Sequence, residues 1–385
     1  MPQTEKNGDT LKRSTKTITI KKALKLSCGV SLEQHDLVYE TYGHLNKAKN
    51  NAILICHALS GSHHAAGKDD NGNIGWWDNY IGPNKAIDTN KFCVVSLTNI
   101  GSCFGSTGPN TINPKTGKYW ATEFPKLHVT DWVNSQKMLM DAIQIKGWIA
   151  VIGGSLGGMQ VMEWSVLYPN LIKNSVIIAA ALKLSAQNIA FNEIARRSIK
   201  SDENFKNGDY LNLGLNPSKG LALARMVGHI TYLSDDILGR KFGRSTKNVQ
   251  LENQADVNSE FEIASYLNYQ GDKFKKSFDA NSYILITQML DMFNFESDSK
   301  SNKQPFEDAK CKFLVISFTS DWRFSPECSN QIVQKLMDTN KRVTYLKIES
   351  DKGHDSFLLP DERYENGLRV FLNRALEEFE ELNSD

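Results

Sequence analysis

The sequence predicts an α/β fold: a mostly parallel central sheet with helices on both faces, interrupted by a mainly helical lid insertion. Three observations carry this. Apolar runs of strand length recur at 51–61, 92–101, 148–158, 175–181, 311–318 and 343–349. They are too continuous for a sheet with one wet face, and helical stretches separate them, as expected of parallel strands covered on both sides. Between about 185 and 307 this rhythm stops, and a stretch rich in Asn, Lys, Asp, Ser and aromatic residues takes its place. A compact chain rarely carries so long a structureless loop, so the stretch is read as an inserted helical unit.

Taken in order, residues 1–16 read as a loose tail. TITIKKALKL and HDLVYETYG, within 17–43, read as two short strands separated by SCGVSLEQ, an antiparallel start to the sheet. NAILICHALSG and FCVVSLTNIG each run from an apolar strand into a polar loop, and WIAVIGGSLGG runs straight into the helical pattern MQVMEWSVLYPN. SVIIAAA, CKFLVISF and VTYLKIE complete the set. The insertion shows helical patches at 186–200, 219–232 and 259–270, and LRVFLNRALEEFEEL at 368–382 spaces its apolar residues as a final helix. The expected organisation is a core of 17–184 and 308–385 with an insertion at 185–307 that roofs the carboxyl ends of the strands.

A chain of 385 residues can bury one large core and carry such an insertion. With 45 basic and 44 acidic residues it has no overall field to draw nucleic acid or a membrane surface, so neither is an expected partner. Its six cysteines, Cys28, Cys56, Cys93, Cys103, Cys311 and Cys328, form no CxxC pair and read as free, mostly buried thiols. The polar start lacks the apolar core of a secretory signal, and no run approaches a membrane span. A cytoplasmic enzyme is the expectation.

Gly153-Gly154-Ser155-Leu156-Gly157-Gly158 follows an apolar strand and precedes a helix. That context is a nucleophile elbow: the serine sits on a strained turn where flanking side chains would collide, and glycines at 153 and 157 relieve the clash. A dinucleotide loop is disfavoured, since no GxGxxG is present. A nucleophilic serine needs a base and an orienting acid, which on such a fold follow in the order serine, acid, histidine. Asp321 lies just past the run 311–318 and His354 just past 343–349, both at strand ends. A capping aspartate is the alternative for Asp321, and Asp351 and Asp355 flank His354 as competing acids.

Two backbone amides are needed for the oxyanion of an acyl-transfer intermediate. Leu156 supplies one, and the loop after the first core strand supplies the other, expected at Leu59. His57, His63 and His64 have no acidic or thiol partner at a ligand spacing, so they read as loop-lining or hydrogen-bonding residues and no metal is expected.

These residues resemble the homoserine O-acyltransferases of methionine biosynthesis, the branch with the α/β-hydrolase fold. The resemblance spans nearly the whole chain, through LVYETYGHLN (37–46), ILICHALSGSHHAAG (53–67), GWWDNYIGPNKAIDT (75–89), GSTGP (105–109), VIGGSLGGMQ (151–160), ARMVGHITY (224–232), SDWRFSP (320–326) and KGHDSFL (352–358). It implies that Ser155 takes the acyl group from coenzyme A, with His354 as base and then acid and Asp321 holding the imidazole. It also implies that L-homoserine is held by Arg225, Tyr232 and Asp355, a guanidinium for the α-carboxylate and a carboxylate for the α-ammonium. The residues alone leave Arg225 open to a surface pairing and Tyr232 to a place in the lid core. No permanently bound cofactor is implied, only succinyl-CoA or acetyl-CoA as cosubstrate, and members are generally homodimers joined through the lid.

The relatives divide into succinyl and acetyl users. Arg323, two residues after the acid, and Ser60 in HALSG resemble the succinyl users, whereas acetyl users more often carry HALTG and no such arginine. The chemistry agrees, because a succinyl group ends in a carboxylate that is costly to bury unpaired. An exposed Arg323, or one bound to a coenzyme A phosphate, is the alternative. The expected function is succinyl transfer to the homoserine hydroxyl, with acetyl transfer as the alternative and an ester or thioester hydrolase as the rival class.

Overall fold

The apolar runs become strands because neither side of them meets water. In the computed structural model the described residues are 11–247, 260–296 and 304–381. Eight strands form the central sheet: β1 (Arg13–Ile20), β2 (His35–Tyr42), β3 (Ala52–Cys56), β4 (Cys93–Leu97), β5 (Trp148–Gly154), β6 (Ile172–Ile178), β7 (Lys312–Phe318) and β8 (Val343–Ile348). Their order across the sheet is β1-β2-β4-β3-β5-β6-β7-β8. β1 lies antiparallel to β2 and β2 antiparallel to β4, and every later pairing is parallel. Every residue of β3, β4 and β5 is buried.

Around the sheet run α1 (Val129–Ala142), α2 (Leu156–Leu167), α3 (Ala186–Lys200), α4 (Ser218–Tyr232), α5 (Asp235–Lys241), α6 (Glu262–Phe274), α7 (Ala280–Met292), α8 (Pro326–Asp338) and α9 (Glu362–Glu381). The pleat divides the interior into two cores. On β3, Leu54 and Cys56 join the core made with Trp132 of α1, Met159 and Met162 of α2 and Ile332 of α8. Ile53 and Ile55 point the other way, into the core closed by Tyr364, Leu368, Leu372 and Ala375 of α9. Those four are spaced as one face of a helix, and fully burying a side chain of this kind contributes about 1.5–3 kcal/mol.

Between β6 and β7 the chain forms α3 to α7. Side-chain caps start three of them: Ser185 accepts from the Asn188 amide, Ser234 from Ile237 and Asp279 from Ser282. α4 packs on both α3 and α6. The expected patches at 186–200, 219–232 and 259–270 fall on α3, α4 and α6, residue 259 lying outside the described residues. α5 and α7 had no sequence signal. α5 is too short to show a period, and α7 is buried nearly all round, so it has no polar face to alternate with. Residues 248–259 and 297–303 of the insertion also lie outside the described residues.

Two boundaries need correction. The expected loose tail, residues 1–16, and the core start at 17 ignore β1, which already pairs Arg13 with Tyr42; residues 1–10 are outside the described set. The strand reaches back to Arg13 because Glu40 accepts from Arg13 Nη1 and from Thr15 Oγ1, each at 2.8 Å. The last helix starts at Glu362, ahead of 368, and residue 382 lies outside the described residues.

Candidate active site

Ser155 stands between the last residue of β5 and the first of α2 with φ 59° and ψ −125°. A positive φ is costly for a residue with a Cβ, and the surroundings hold it there. Its amide donates to the Ile178 carbonyl at 2.9 Å, and its carbonyl accepts from the Gly158 amide at 2.9 Å. The flanking glycines are steric necessities: a Cβ on Gly153 would lie 2.4 Å from the Gly157 backbone, and one on Gly157 would lie 2.1 Å from the Cys56 carbonyl.

Asp321 and His354 arrive from the ends of β7 and β8. His354 Nε2 is 2.9 Å from Ser155 Oγ, and His354 Nδ1 is 2.7 Å from Asp321 Oδ2. The other oxygen of Asp321 accepts from the backbone amides of Arg323 at 3.0 Å and Phe324 at 2.9 Å, which fixes the carboxylate plane. Since that carboxylate only accepts, Nδ1 carries the imidazole proton, and Nε2 is left to accept from Ser155. All three side chains are buried, and the rings of Phe324, Phe357 and Tyr232 surround the imidazole with centroids at 5.2, 5.5 and 6.4 Å. The arrangement can deprotonate the serine hydroxyl and stabilise the resulting imidazolium. Asp351, the other flanking acid, points instead at Arg240 on α5.

Leu156 is the first residue of α2, so its amide has no acceptor within the helix. Leu59 is buried in the loop that leaves β3 beside the elbow. The three histidines of that loop are hydrogen-bonded. His57 Nε2 accepts from the Asn99 amide at 3.1 Å, His63 Nδ1 meets Thr98 Oγ1 at 2.8 Å, and His64 Nδ1 meets Glu40 at 3.1 Å.

α4 ends against both loops of the site. Trp322 donates its indole N–H to the Leu233 carbonyl at 3.1 Å, Ser234 Oγ donates to the Asp351 carbonyl, and a Cβ on Gly353 would strike the Ser234 amide at 2.5 Å. Arg225 and Tyr232 lie two turns apart on one face of α4. The Arg225 guanidinium sits 5.5 Å from the Tyr232 ring centre and 4.6 Å from that of Phe274, and it donates to Ser60 Oγ at 3.4 Å. Ser60 therefore meets Arg225, not Arg323. Arg323 is 7% exposed, so the exposed alternative falls. It donates to Thr231 Oγ1 at 2.8 Å and to Asn192 Oδ1 at 3.3 Å, and it faces the same Tyr232 ring at 5.7 Å. Among the described residues neither Arg225 nor Arg323 has a carboxylate within 4.0 Å. Asp355 lies partly buried beside His354. Burial pushes its pKa up and Asp321 adds to that, against the lowering pull of His354 and Arg225.

Arg225 and Arg323 thus flank the Tyr232 ring, which itself lies 6.4 Å from the His354 ring, and among the described residues neither guanidinium has a direct ion partner. Asn192, Thr231 and Phe274, which hold the two arginines, were not anticipated. Only an apolar and polar stripe through the insertion helices could have pointed to them.

A serine on a strand-to-helix elbow, followed in chain order by an acid and a histidine from later strand ends of a mostly parallel sheet, defines the class of α/β hydrolases. Residues 51–361 match the family described as the alpha/beta hydrolase fold. The chain is 57% identical over 359 residues to a homoserine O-succinyltransferase of Cellvibrio japonicus, covering 92% of this chain and 94% of the relative. Among solved structures it is similar to a homoserine O-acetyltransferase from Bacillus anthracis, with TM-score 0.85 and 27% identity, covering 94% of this chain and 98% of that one. It is also similar to esterase E22, with TM-score 0.83 and 30% identity over 94% of this chain and 100% of that one. The chain belongs to the α/β-hydrolase fold family and, within it, to the family of the homoserine O-succinyltransferases. No helix among the described residues is long and apolar enough to cross a membrane.

Proposed function

We propose that this chain transfers the succinyl group of succinyl-CoA to the hydroxyl of L-homoserine, giving O-succinyl-L-homoserine and coenzyme A in methionine biosynthesis. Ser155 Oγ attacks the thioester carbonyl as its proton passes to His354 Nε2. The amides of Leu59 and Leu156 donate to the oxyanion that forms, and its collapse expels the coenzyme A thiolate, which takes the proton from His354. The homoserine hydroxyl then gives its proton to His354 and attacks the seryl ester. Collapse of the second intermediate returns the proton to Ser155 and releases the product.

The observation that carries this reading is the pair of guanidiniums around Tyr232 that, among the described residues, lack a carboxylate partner while the serine, histidine and aspartate are hydrogen-bonded beside them. Each substrate brings one carboxylate into the site. Arg225 receives the α-carboxylate of homoserine, with Tyr232 beside it, and Asp355 pairs with the α-ammonium. Arg323 receives the distal carboxylate of the succinyl group, and Ser60 keeps Arg225 turned toward the acceptor. A simple esterase has no use for this charge pattern. The insertion, through its helix α4, covers the site and keeps water from the acyl-enzyme.

The same reading has the enzyme working in the cytoplasm, supported by six cysteines with no disulfide among them. It has two copies joined through the insertion, supported by exposed apolar side chains there, among them Ile194, Leu223, Ile230 and Tyr269. The test is free-thiol release from succinyl-CoA and acetyl-CoA, each with and without L-homoserine. Release that needs homoserine and favours succinyl-CoA supports the reading; release that ignores homoserine replaces it with a hydrolase.

A further inference from the structure

Beneath the elbow lies a buried polar cluster that the two-step exchange does not use: His57, Asn99, Gln136 and Gln160, each no more than 1% exposed. Its hydrogen-bond directions are forced from its ends. The Trp164 indole N–H can only donate, and it donates to Gln136 Oε1 at 2.6 Å. Gln136 Nε2 must then donate, to Gln160 Oε1 at 2.7 Å and to Asn99 Oδ1 at 2.8 Å. Gln160 is left with its Nε2, which donates to the His57 carbonyl at 2.9 Å and the Leu156 carbonyl at 3.1 Å. At the other end the Asn99 backbone N–H and Nδ2 both point at His57 Nε2, each at 3.1 Å. Nε2 is therefore the acceptor. Nδ1 carries the ring proton and donates it to the Ala58 carbonyl at 2.7 Å. Burial pushes the His57 pKa down to about 4, so the ring is neutral under ordinary conditions.

In a planar trans peptide the C=O of one residue and the N–H of the next point in opposite directions. Holding the Ala58 carbonyl, by His57 Nδ1 and by the Gly61 amide at 3.1 Å, fixes the direction of the Leu59 N–H. The Leu156 N–H is fixed in the same way, because the Ser155 carbonyl accepts from Gly158 at 2.9 Å and Met159 at 3.3 Å. One side-chain amide, that of Gln160, bridges the two segments that carry these N–H groups. We propose that His57 is a positioning residue of the reaction, its Nδ1 proton aiming the Leu59 amide at the oxyanion while Gln160 sets the spacing between that amide and the amide of Leu156. This rests on the reading of the site as a serine acyltransferase with Leu59 and Leu156 as oxyanion donors.

The test compares His57→Phe, which keeps the ring volume and loses both hydrogen bonds, with His57→Asn, whose amide nitrogen falls where Nδ1 stood. Removing an oxyanion donor costs about 10²–10³ in kcat, so His57→Phe should lose about 10²-fold in kcat with both KM values within about twofold. Affinity for 2-carboxyethylboronic acid, whose tetrahedral adduct on Ser155 places an oxygen at the oxyanion position, should fall by a similar factor. His57→Asn should recover about tenfold or more of each. A loss expressed in KM, an unchanged boronate affinity, or His57→Asn no better than His57→Phe would overturn the assignment. If His57→Phe does not fold, Gln160→Met must show the same joint loss of kcat and boronate affinity, and an unchanged kcat there overturns it. Ser155→Ala runs alongside. Homoserine-dependent release that survives in Ser155→Ala sinks the acyltransferase reading itself, whereas its abolition beside a wild-type-like His57→Phe sinks only the positioning role.

Discussion

Replacing Arg323 by methionine should change which acyl donor is used while leaving the serine, histidine and aspartate in place. The backbone amide of residue 323, which holds Asp321, survives the substitution. What is lost is a buried guanidinium with donors to spare: among the described residues Thr231 and Asn192 take one N–H each, which leaves three of its five N–H groups to meet a carboxylate. A hydrogen bond to a charged group contributes about 1.5–3 kcal/mol, or about 10- to 150-fold in kcat/KM for succinyl-CoA. Acetyl-CoA has no distal carboxylate, so its kcat/KM should stay within about threefold. Stability should change by about 1 kcal/mol or less, because removing an unpaired buried cation offsets the lost packing. Thr231 keeps its bond to the Gly228 carbonyl, and Asn192 keeps Asp291. The assay is thiol release at limiting donor with saturating L-homoserine, beside a thermal melt. Equal losses with both donors, or no loss with succinyl-CoA, would refute the role of Arg323.

Three further variants have outcomes that follow from the same geometry. Asp321→Asn presents an amide N–H to His354 Nδ1, which favours the wrong tautomer, so kcat should fall about 10³–10⁴-fold with little change in the melting temperature. Asp355→Asn should raise KM for L-homoserine at least about tenfold and leave KM for succinyl-CoA unchanged, since a charge-assisted bond to the ammonium is lost. Because burial raises the Asp355 pKa in the folded state, its ionisation opposes folding; the Asn variant should gain stability relative to wild type as pH rises through that pKa, and a gap that shrinks with pH would contradict this. Glu40 is the opposite case: burial works to raise its pKa, but hydrogen bonds from His64, Tyr42 and Thr15 prevail and hold it at about 2. Its stabilisation is complete above the unfolded carboxylate pKa and is lost as pH falls toward about 2, so Glu40→Gln should cost about 1–2 kcal/mol at pH 7 and progressively less in acid, read by urea unfolding across pH.

Strands buried on both faces were legible because AILIC, CVVSL and WIAVIGG leave no polar residue in register to face water until their ends. The start of β1 was not, since what holds Arg13 in the sheet is Glu40, a partner distant in sequence. α7 was invisible for a related reason: a helix surrounded by protein has no solvent face to impose a period. In the site, Ser155 could be read from its glycines, and Asp321 and His354 from their order and strand ends. The roles proposed for Arg225 and Tyr232 could not be read from composition or spacing, because a stripe two turns apart on α4 is what any packed helix shows; they rest on the resemblance. The burial of Arg323 depends on Thr231 and Asn192, which reach it from α4 and α3. The cluster of His57, Asn99, Gln136 and Gln160 has no spacing rule at all, since its members come from two strand-end loops and two helices.

The most direct test of the whole account is the intact mass of the protein after mixing with succinyl-CoA alone and again after adding L-homoserine. The account predicts a single succinyl adduct on Ser155, absent from Ser155→Ala, that disappears on addition of homoserine as O-succinyl-L-homoserine forms in equal amount. Homoserine-dependent product formation that persists in Ser155→Ala, or an adduct that homoserine does not discharge faster than water does, would contradict it.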